Sequence, residues 1–189
     1  MKRGIALILL LALALLPAFA SAYWDARTKQ HLEDAELPVI YATLNRAMST
    51  RTGPSTSYTE PGTFFGAGTR VRIISLVYDE NQVPWVQVDI DYNRKQLRAY
   101  TGLKRFDGVR PGDIPREDNL FLDCTVLETV TPQCGPSVDY APCAFTVKEG
   151  TVVSVVDYEN GYAMCEADFG GKKNWRRFFI EEELLQPVQ

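Results

Sequence analysis

The sequence predicts an all-β protein built from two small antiparallel barrels in tandem. A Gly-Pro-Ser motif followed by a tyrosine, at 53–58, recurs at 135–140, and a Gly-Thr pair opens an apolar run ten residues after each tyrosine. Both landmarks keep an offset of 82 residues, which indicates a duplicated unit. Within each unit, short apolar runs alternate with turn residues at regular spacing, as is typical of small β-barrels.

The segment before the repeats predicts export. Residues 1–22 combine the charged pair Lys2-Arg3, an apolar core and small residues before a cut after Ala22, which is the pattern of a signal peptide. Residues 23–37 form a polar leader. Because no second hydrophobic span follows, we expect no stable membrane insertion after cleavage. The mature chain is expected to be secreted, outside the cell or in its envelope.

The first module is predicted over 38–110. An apolar run over 71–78 is rich in β-branched residues, and the segment 85–91 places Val86, Val88 and Ile90 on one face. This alternation predicts a half-buried strand. Trp85 belongs to the opposite face and is therefore expected outside the core.

A linker at 111–118, rich in Gly and Pro, precedes the second module at 119–186. Strands are predicted over 151–158, 162–167 and 175–180. The offset between the copies falls from 82 to about 78 residues after the Gly-Thr strand, so the loops there are expected to differ in length.

The charges are distributed unevenly. Residues 39–110 hold ten Lys and Arg against six Asp and Glu, whereas residues 119–186 hold five against eleven. This asymmetry has two possible explanations. The first half binds an anionic partner, or the opposite charges of the two tethered modules keep them compatible and soluble. Neither half has the dense basic stripe of a nucleic-acid binder, so no nucleic-acid partner is expected.

All four cysteines lie in the second half, and an even number in an exported chain favours disulfides. Three pairings are possible. We predict Cys134–Cys143 across the turn-rich loop and Cys124–Cys165 between strands. No metal site is expected, because there is no C-x-x-C spacing and the only histidine, His31, lies in the leader.

Three segments carry a resemblance to a known family. They are 48–55 (Met-Ser-Thr-Arg-Thr-Gly-Pro-Ser), 68–71 (Gly-Thr-Arg-Val) and 85–88 (Trp-Val-Gln-Val). Together they resemble the bacterial SH3-like (SH3b) domain. The first module departs from the pattern at Ser49, where the family has Asn. The second departs further, with Gln133 in place of Arg51 and Tyr162 in place of Trp85.

The resemblance implies a non-catalytic binding protein without a cofactor. Its expected partner is cell-wall peptidoglycan or another extracellular polymer or peptide. The alternatives are an adaptor that docks other exported proteins through sheet edges, or a wall-active enzyme. No Cys-His nucleophile pair or phosphate loop is present. Two carboxylates could act as a glycosidase pair. Acids such as Asp89 and Asp91, however, are expected on the outward, solvated face of a strand.

The candidate ligand-binding residues are Tyr58, Trp85, Tyr100 and Arg51. The three aromatic residues come from the turn segment, the central strand and the returning strand, where they could form a shelf for a peptide or sugar. Alternatively, Tyr58 and Tyr100 pack against their own loop. Because Arg51 and Trp85 belong to the first module, that module is predicted to carry the binding.

Overall fold

The computed structural model describes residues 39–60, 63–117, 119–170 and 174–188. These ranges belong to one compact unit, residues 38–189. The predicted signal peptide and leader, 1–37, lie outside the described residues. Among the residues that are described, no helix is long and apolar enough to cross a membrane.

The first repeat forms a four-stranded antiparallel sheet in the order β1-β4-β5-β6. Its strands are β1 (Ile40–Thr43), β4 (Arg70–Tyr78), β5 (Pro84–Tyr92) and β6 (Lys95–Gly102). Between β1 and β4 the chain forms a separate two-stranded sheet from β2 (Met48–Ser49) and β3 (Phe64–Phe65).

The second repeat forms a five-stranded antiparallel sheet in the order β10-β9-β8-β7-β11. Its strands are β7 (Leu122–Val126), β8 (Val152–Glu159), β9 (Tyr162–Asp168), β10 (Trp175–Glu181) and β11 (Leu185–Pro187). Three single-turn 3₁₀ helices, Leu103–Arg105, Pro111–Asp113 and Glu182–Leu184, complete the described elements.

The predicted all-β class and antiparallel pairing are confirmed. The two repeats also share an irregularity in strand register. The β4–β5 register shifts between Ile73 and Ser75, and the β8–β9 register shifts between Val155 and Asp157, 82 residues later. A β-bulge at the same place in both copies bends both sheets alike. The described strands form open sheets rather than a closed barrel.

Alternation along β5 builds the core of the first repeat as predicted, with Val86, Val88 and Ile90 at most 1 % exposed. The opposite face differs from the prediction. Asp91 is exposed, but Gln87 and Asp89 are buried, because the second repeat covers them. The expectation that Asp89 is a solvated charge is therefore corrected. A strand pattern shows which face is polar but not what packs on it.

The segment predicted as a linker packs on the first repeat. The side chain of Ile114 is buried in the core of that repeat. The backbone N–H of Leu76 donates to the carbonyl of Pro115, and the N–H of Glu117 donates to the carbonyl of Leu76. These contacts hold the end of the segment beside β4.

Candidate functional site

Each Gly-Pro-Ser loop holds its own tyrosine directly over its glycine. A Cβ atom at Gly53 would lie 2.1 Å from Cδ1 of Tyr58, and one at Gly135 would lie 1.9 Å from Cδ1 of Tyr140. No side chain can occupy that space while the ring stays in place. The motif therefore requires glycine five residues before the tyrosine in order to seat its ring.

The two tyrosines reach across to opposite repeats. The Tyr58 hydroxyl donates to Oε2 of Glu166 on β9 at 2.5 Å. The Tyr140 hydroxyl donates to Oδ2 of Asp89 on β5 at 2.8 Å. Asp89 and Glu166 occupy equivalent places, one opposite Arg98 on β6 and the other opposite Arg177 on β10. The contact is reciprocal, as in an isologous dimer interface, but it lies within one chain.

The main chain repeats this exchange. The N–H of Thr59 donates to the carbonyl of Trp175 at 2.9 Å, and the N–H of Ala141 donates to the carbonyl of Gln96 at 2.8 Å. Each loop thus pairs with the first residues of the last long strand of the other repeat. Both backbone and side chains join the repeats.

Arg98 is the centre of the first buried cluster, which we call the Arg98 cluster. Its Nε lies 2.8 Å from Oδ1 of Asp89, and its Nη1 donates to Glu159 of the second repeat. Its Nη2 donates to the Tyr140 hydroxyl at 3.2 Å. Burial alone would lower the pKa of Arg98, but the carboxylates of Glu159 and Asp89 outweigh it and raise that pKa.

Arg177 is the centre of the equivalent Arg177 cluster. Its Nε donates to Oε2 of Glu166 at 2.7 Å, and its Nη1 donates both to Glu117 and to the Tyr100 hydroxyl. The Tyr100 hydroxyl in turn donates to Oε2 of Glu117 at 2.9 Å. Burial raises the pKa of Tyr58 and of Tyr100 well above the usual value. Both phenols therefore stay protonated and act as donors.

A cavity of about 400 Å³ lies at the junction of the repeats, beside both clusters. Its lining includes matched residues of the two copies, such as Arg98 with Arg177 and Tyr100 with Phe179. Elsewhere the two sides differ in chemistry. The first repeat contributes mainly polar groups, among them Arg51, Thr52, Thr59, Glu60 and Thr63, and the second contributes mainly apolar ones, among them Cys134, Ala141, Pro142, Cys143 and Phe145.

The structure brings three of the four predicted ligand-binding residues together. Arg51 and Tyr100 line the cavity, and the Tyr58 ring centroid lies 5.8 Å from the guanidinium of Arg177. Trp85 is not among the lining residues, and its indole N–H donates to Oδ2 of Asp79 at 3.1 Å. The three aromatic residues do not form one exposed shelf.

Tyr58, Tyr100 and Arg51 do not form an exposed shelf because their side chains are engaged in contacts within the protein. Tyr100 is 2 % exposed, with its hydroxyl inside the Arg177 cluster. Tyr58 packs against Gly53 of its own loop, as the alternative interpretation expected, and also bonds across to the second repeat. Arg51 pairs with Glu60 at 2.7 Å and donates to the carbonyl of Tyr58 at 3.0 Å. These side chains build the wall of the cavity.

The four cysteines are free thiols in the structure. Sγ of Cys134 and Sγ of Cys143 lie 3.0 Å apart at the cavity wall. Their hydrogen bond lowers the pKa of Cys134 and, together with burial, raises that of Cys143. Cys124 and Cys165 are fully buried, and burial raises the pKa of Cys124 to about 11. No group of His, Cys, Asp and Glu side chains suited to a metal occurs among the described residues.

The two buried clusters are not among the features predicted from the sequence. A signal for them was nevertheless present, since both repeats keep a tyrosine, an acid on one strand and an arginine on the next. Asp89 faces Arg98 across β5 and β6, and Glu166 faces Arg177 across β9 and β10. A cross-strand ion pair at the same place in both copies, on the face away from the core, indicates a surface that the copies share.

Comparison with known proteins adds no family assignment: no protein-family model matches the chain, and no curated protein matches it.

Proposed function

We propose that this is an exported, non-catalytic binding protein whose two SH3-like modules hold a ligand in the cavity between them. The proposed ligand is a segment of cell-wall peptidoglycan, or another extracellular polymer or peptide. The observation that carries the proposal is the cavity of about 400 Å³ with one polar and one mainly apolar side. Its size falls within the range of small-ligand sites, roughly 300–1,000 Å³.

The buried clusters support a preformed site. Arg98 and Arg177 are each engaged by two carboxylates, so their charges serve to position the walls. Walls held by bonded side chains keep the geometry of a binding site without the ligand, which lowers the entropic cost of binding. Because both repeats line the cavity, binding is expected to need both, and not the first module alone.

The test is co-sedimentation of the whole protein with purified peptidoglycan. Phe145→Ala removes an aromatic wall of the cavity, whereas Phe64→Ala, 72 % exposed and outside the lining, serves as its control. Loss of a central anchor typically costs about 2 kcal/mol, so Phe145→Ala should weaken retention roughly thirtyfold. Equal retention of wild type and Phe145→Ala would contradict the cavity as the site.

The Trp85→Ala variant distinguishes a binding site in the cavity from one on the surface of the first module. Trp85 lies outside the cavity lining, so a site in the cavity predicts that this variant pellets like wild type. If Trp85→Ala is lost from the pellet while Phe145→Ala is retained, the ligand binds on the surface of the first module, as the sequence alone predicted.

We also propose that the cysteines pair in an oxidising compartment, as Cys134–Cys143 and Cys124–Cys165. The first pair already has adjacent sulfur atoms, 3.0 Å apart. Cys124 on β7 and Cys165 on β9 are separated by β8. Strands two apart lie roughly 9.5 Å from each other, so the second bond requires the backbone to move. Non-reducing peptide mapping of the secreted protein decides the matter, and a Cys124–Cys134 linkage would refute both pairings.

A further inference from the structure

Arg176 differs from the other arginines that line the cavity. Arg51, Arg98 and Arg177 each form an ion pair with a carboxylate. Arg176 forms none with any residue that the structure describes, and its buried Nε has no hydrogen-bond partner there. Its Nη2 donates to Oδ1 of Asn174 at 3.3 Å. A buried N–H of a cation without an acceptor is unusual, because such groups are normally satisfied.

Two aromatic rings hold this guanidinium at the cavity. Its carbon lies 4.5 Å from the ring centroid of Phe145 and 5.0 Å from that of Phe169. The rings themselves pack edge to face, with centroids 5.1 Å apart. Ring faces attract a cation but accept no hydrogen bonds in the guanidinium plane. The rings therefore position the side chain while Nη1, which is neither buried nor bonded to a described residue, remains available.

The arrangement belongs to the second repeat alone. At the equivalent positions the first repeat has Leu97 in place of Arg176 and Thr63 in place of Phe145, and both also line the cavity. The positive charge consequently lies on the apolar side of the cavity, next to Phe145. Arg177 on the same side is paired with Glu117 and Glu166, so Arg176 is the cation there that no described carboxylate neutralises.

We infer that Arg176 binds a carboxylate of the ligand. The inference rests on the proposed function, in which the cavity holds a ligand. A carboxylate accepts charge-assisted N–H bonds from a guanidinium. Nη1 of Arg176 is the donor that is neither buried nor bonded to a described residue. An apolar group next to that carboxylate would contact Phe145. The ligand class is a peptide with a free carboxylate, at its C-terminus or on a side chain, beside an apolar group.

A matched pair of small probes tests this inference without any wall material. N-acetyl-phenylalanine and N-acetyl-phenylalaninamide differ only in the carboxylate. Each is titrated into the whole protein in 100 mM salt, and the Arg Nε–H signals are followed by ¹H–¹⁵N NMR. The acid should shift the Arg176 signal saturably, at least tenfold more tightly than the amide. Arg176→Gln should abolish the response, and Arg110→Gln, an exposed arginine outside the lining, should keep it.

Retention on peptidoglycan separates this inference from the proposed function. Arg176→Gln should lower retention at least tenfold relative to Arg110→Gln, and Arg176→Lys should recover part of it. If neither probe shifts Arg176 and Arg176→Gln pellets like wild type, the carboxylate site is refuted while wall binding stands. If the acid saturates Arg176 but wild type does not pellet, the carboxylate site stands and wall binding is refuted. Equal affinity for acid and amide also overturns the inference.

Discussion

The Arg98 and Arg177 clusters have one hydrogen-bonding plan but different electrostatics. In both, an arginine lies between the carboxylate of its own repeat and a second carboxylate, and a tyrosine of the other repeat bonds to the first. In the Arg98 cluster the second carboxylate is Glu159, whose side chain is 29 % exposed. In the Arg177 cluster it is Glu117, whose side chain is 2 % exposed. One cluster is partly open to solvent and the other is closed.

The two clusters also balance their charges differently. Arg72 approaches Asp89 at 3.4 Å and supplies a second cation to the Arg98 cluster. Among the described residues the Arg177 cluster has no second cation, and the hydroxyls of Tyr58 and Tyr100 donate to its carboxylates instead. Glu117 comes from the segment between the repeats. Duplication thus preserved the bonding plan, while the connecting segment became part of the interface.

Removing Arg177 should give the largest effect. Arg177→Met leaves Glu117 and Glu166 buried without a cation, and an uncompensated buried charge typically costs 3–5 kcal/mol, so a loss of about 4 kcal/mol is expected. Arg98→Met should cost less, because Arg72 remains beside Asp89 and Glu159 is partly hydrated. Urea unfolding of the two variants measures the difference. Equal losses would show that the two clusters are equivalent despite their different exposure.

Loss of one tyrosine hydroxyl should give an intermediate effect. Tyr58→Phe takes a donor from Glu166, and Tyr140→Phe takes one from Asp89, so each should cost about 1–2 kcal/mol. Tyr58→Phe should cost more, since hydroxyl donors replace a second cation in its cluster. Tyr41→Phe, at an exposed tyrosine, is the control and should leave the urea midpoint unchanged. If Tyr140→Phe loses more stability than Tyr58→Phe, the expectation that the Arg177 cluster depends more on its hydroxyl donors is wrong.

Sequence patterns predicted the duplicated, antiparallel all-β plan because alternation and turn residues act locally. Val86 and Val88 are buried as predicted, and the pairing of Gly53 with Tyr58 is explained by a contact within one loop. The burial of Asp89 could not be predicted in the same way. It depends on Tyr140, 51 residues away, and a strand pattern cannot distinguish a solvated face from one covered by a second copy. The same limit concealed Tyr100 and the cavity.

Alkaline pH should weaken the interface through the tyrosines. Burial raises the pKa of Tyr58 and of Tyr140 above the ordinary value of 10.0. Because the folded pKa exceeds the unfolded one, the stabilising contribution is complete below pH 10 and is lost as the pH rises above it. The titration of each tyrosine should lower the free energy of unfolding by about 1.4 kcal/mol at pH 11.

Urea midpoints between pH 8 and pH 11 measure this loss. The buried thiols act with the same sign, since the pKa of Cys124 is raised from 9.0 to about 11. The tyrosine contribution is therefore the difference between wild type and each Tyr→Phe variant at the same pH. If a Tyr→Phe variant loses stability with pH as steeply as wild type, the replaced tyrosine does not contribute to the pH dependence.

Replacing Arg72 should give the smallest loss in the free energy of unfolding. It tests directly whether a second cation distinguishes the Arg98 cluster from the Arg177 cluster. Its side chain is 41 % exposed and lies 3.4 Å from a carboxylate that Arg98 already holds in two bonds. A solvated ion pair contributes at most about 1 kcal/mol, so Arg72→Gln alone should cost about 0.5 kcal/mol. In the Arg98→Met background Arg72 is the remaining cation beside Asp89, and its removal should cost about 2 kcal/mol. A double-mutant cycle by urea unfolding measures the excess. Additive losses would mean that Arg72 does not balance the buried acid, and that the two clusters differ in exposure alone.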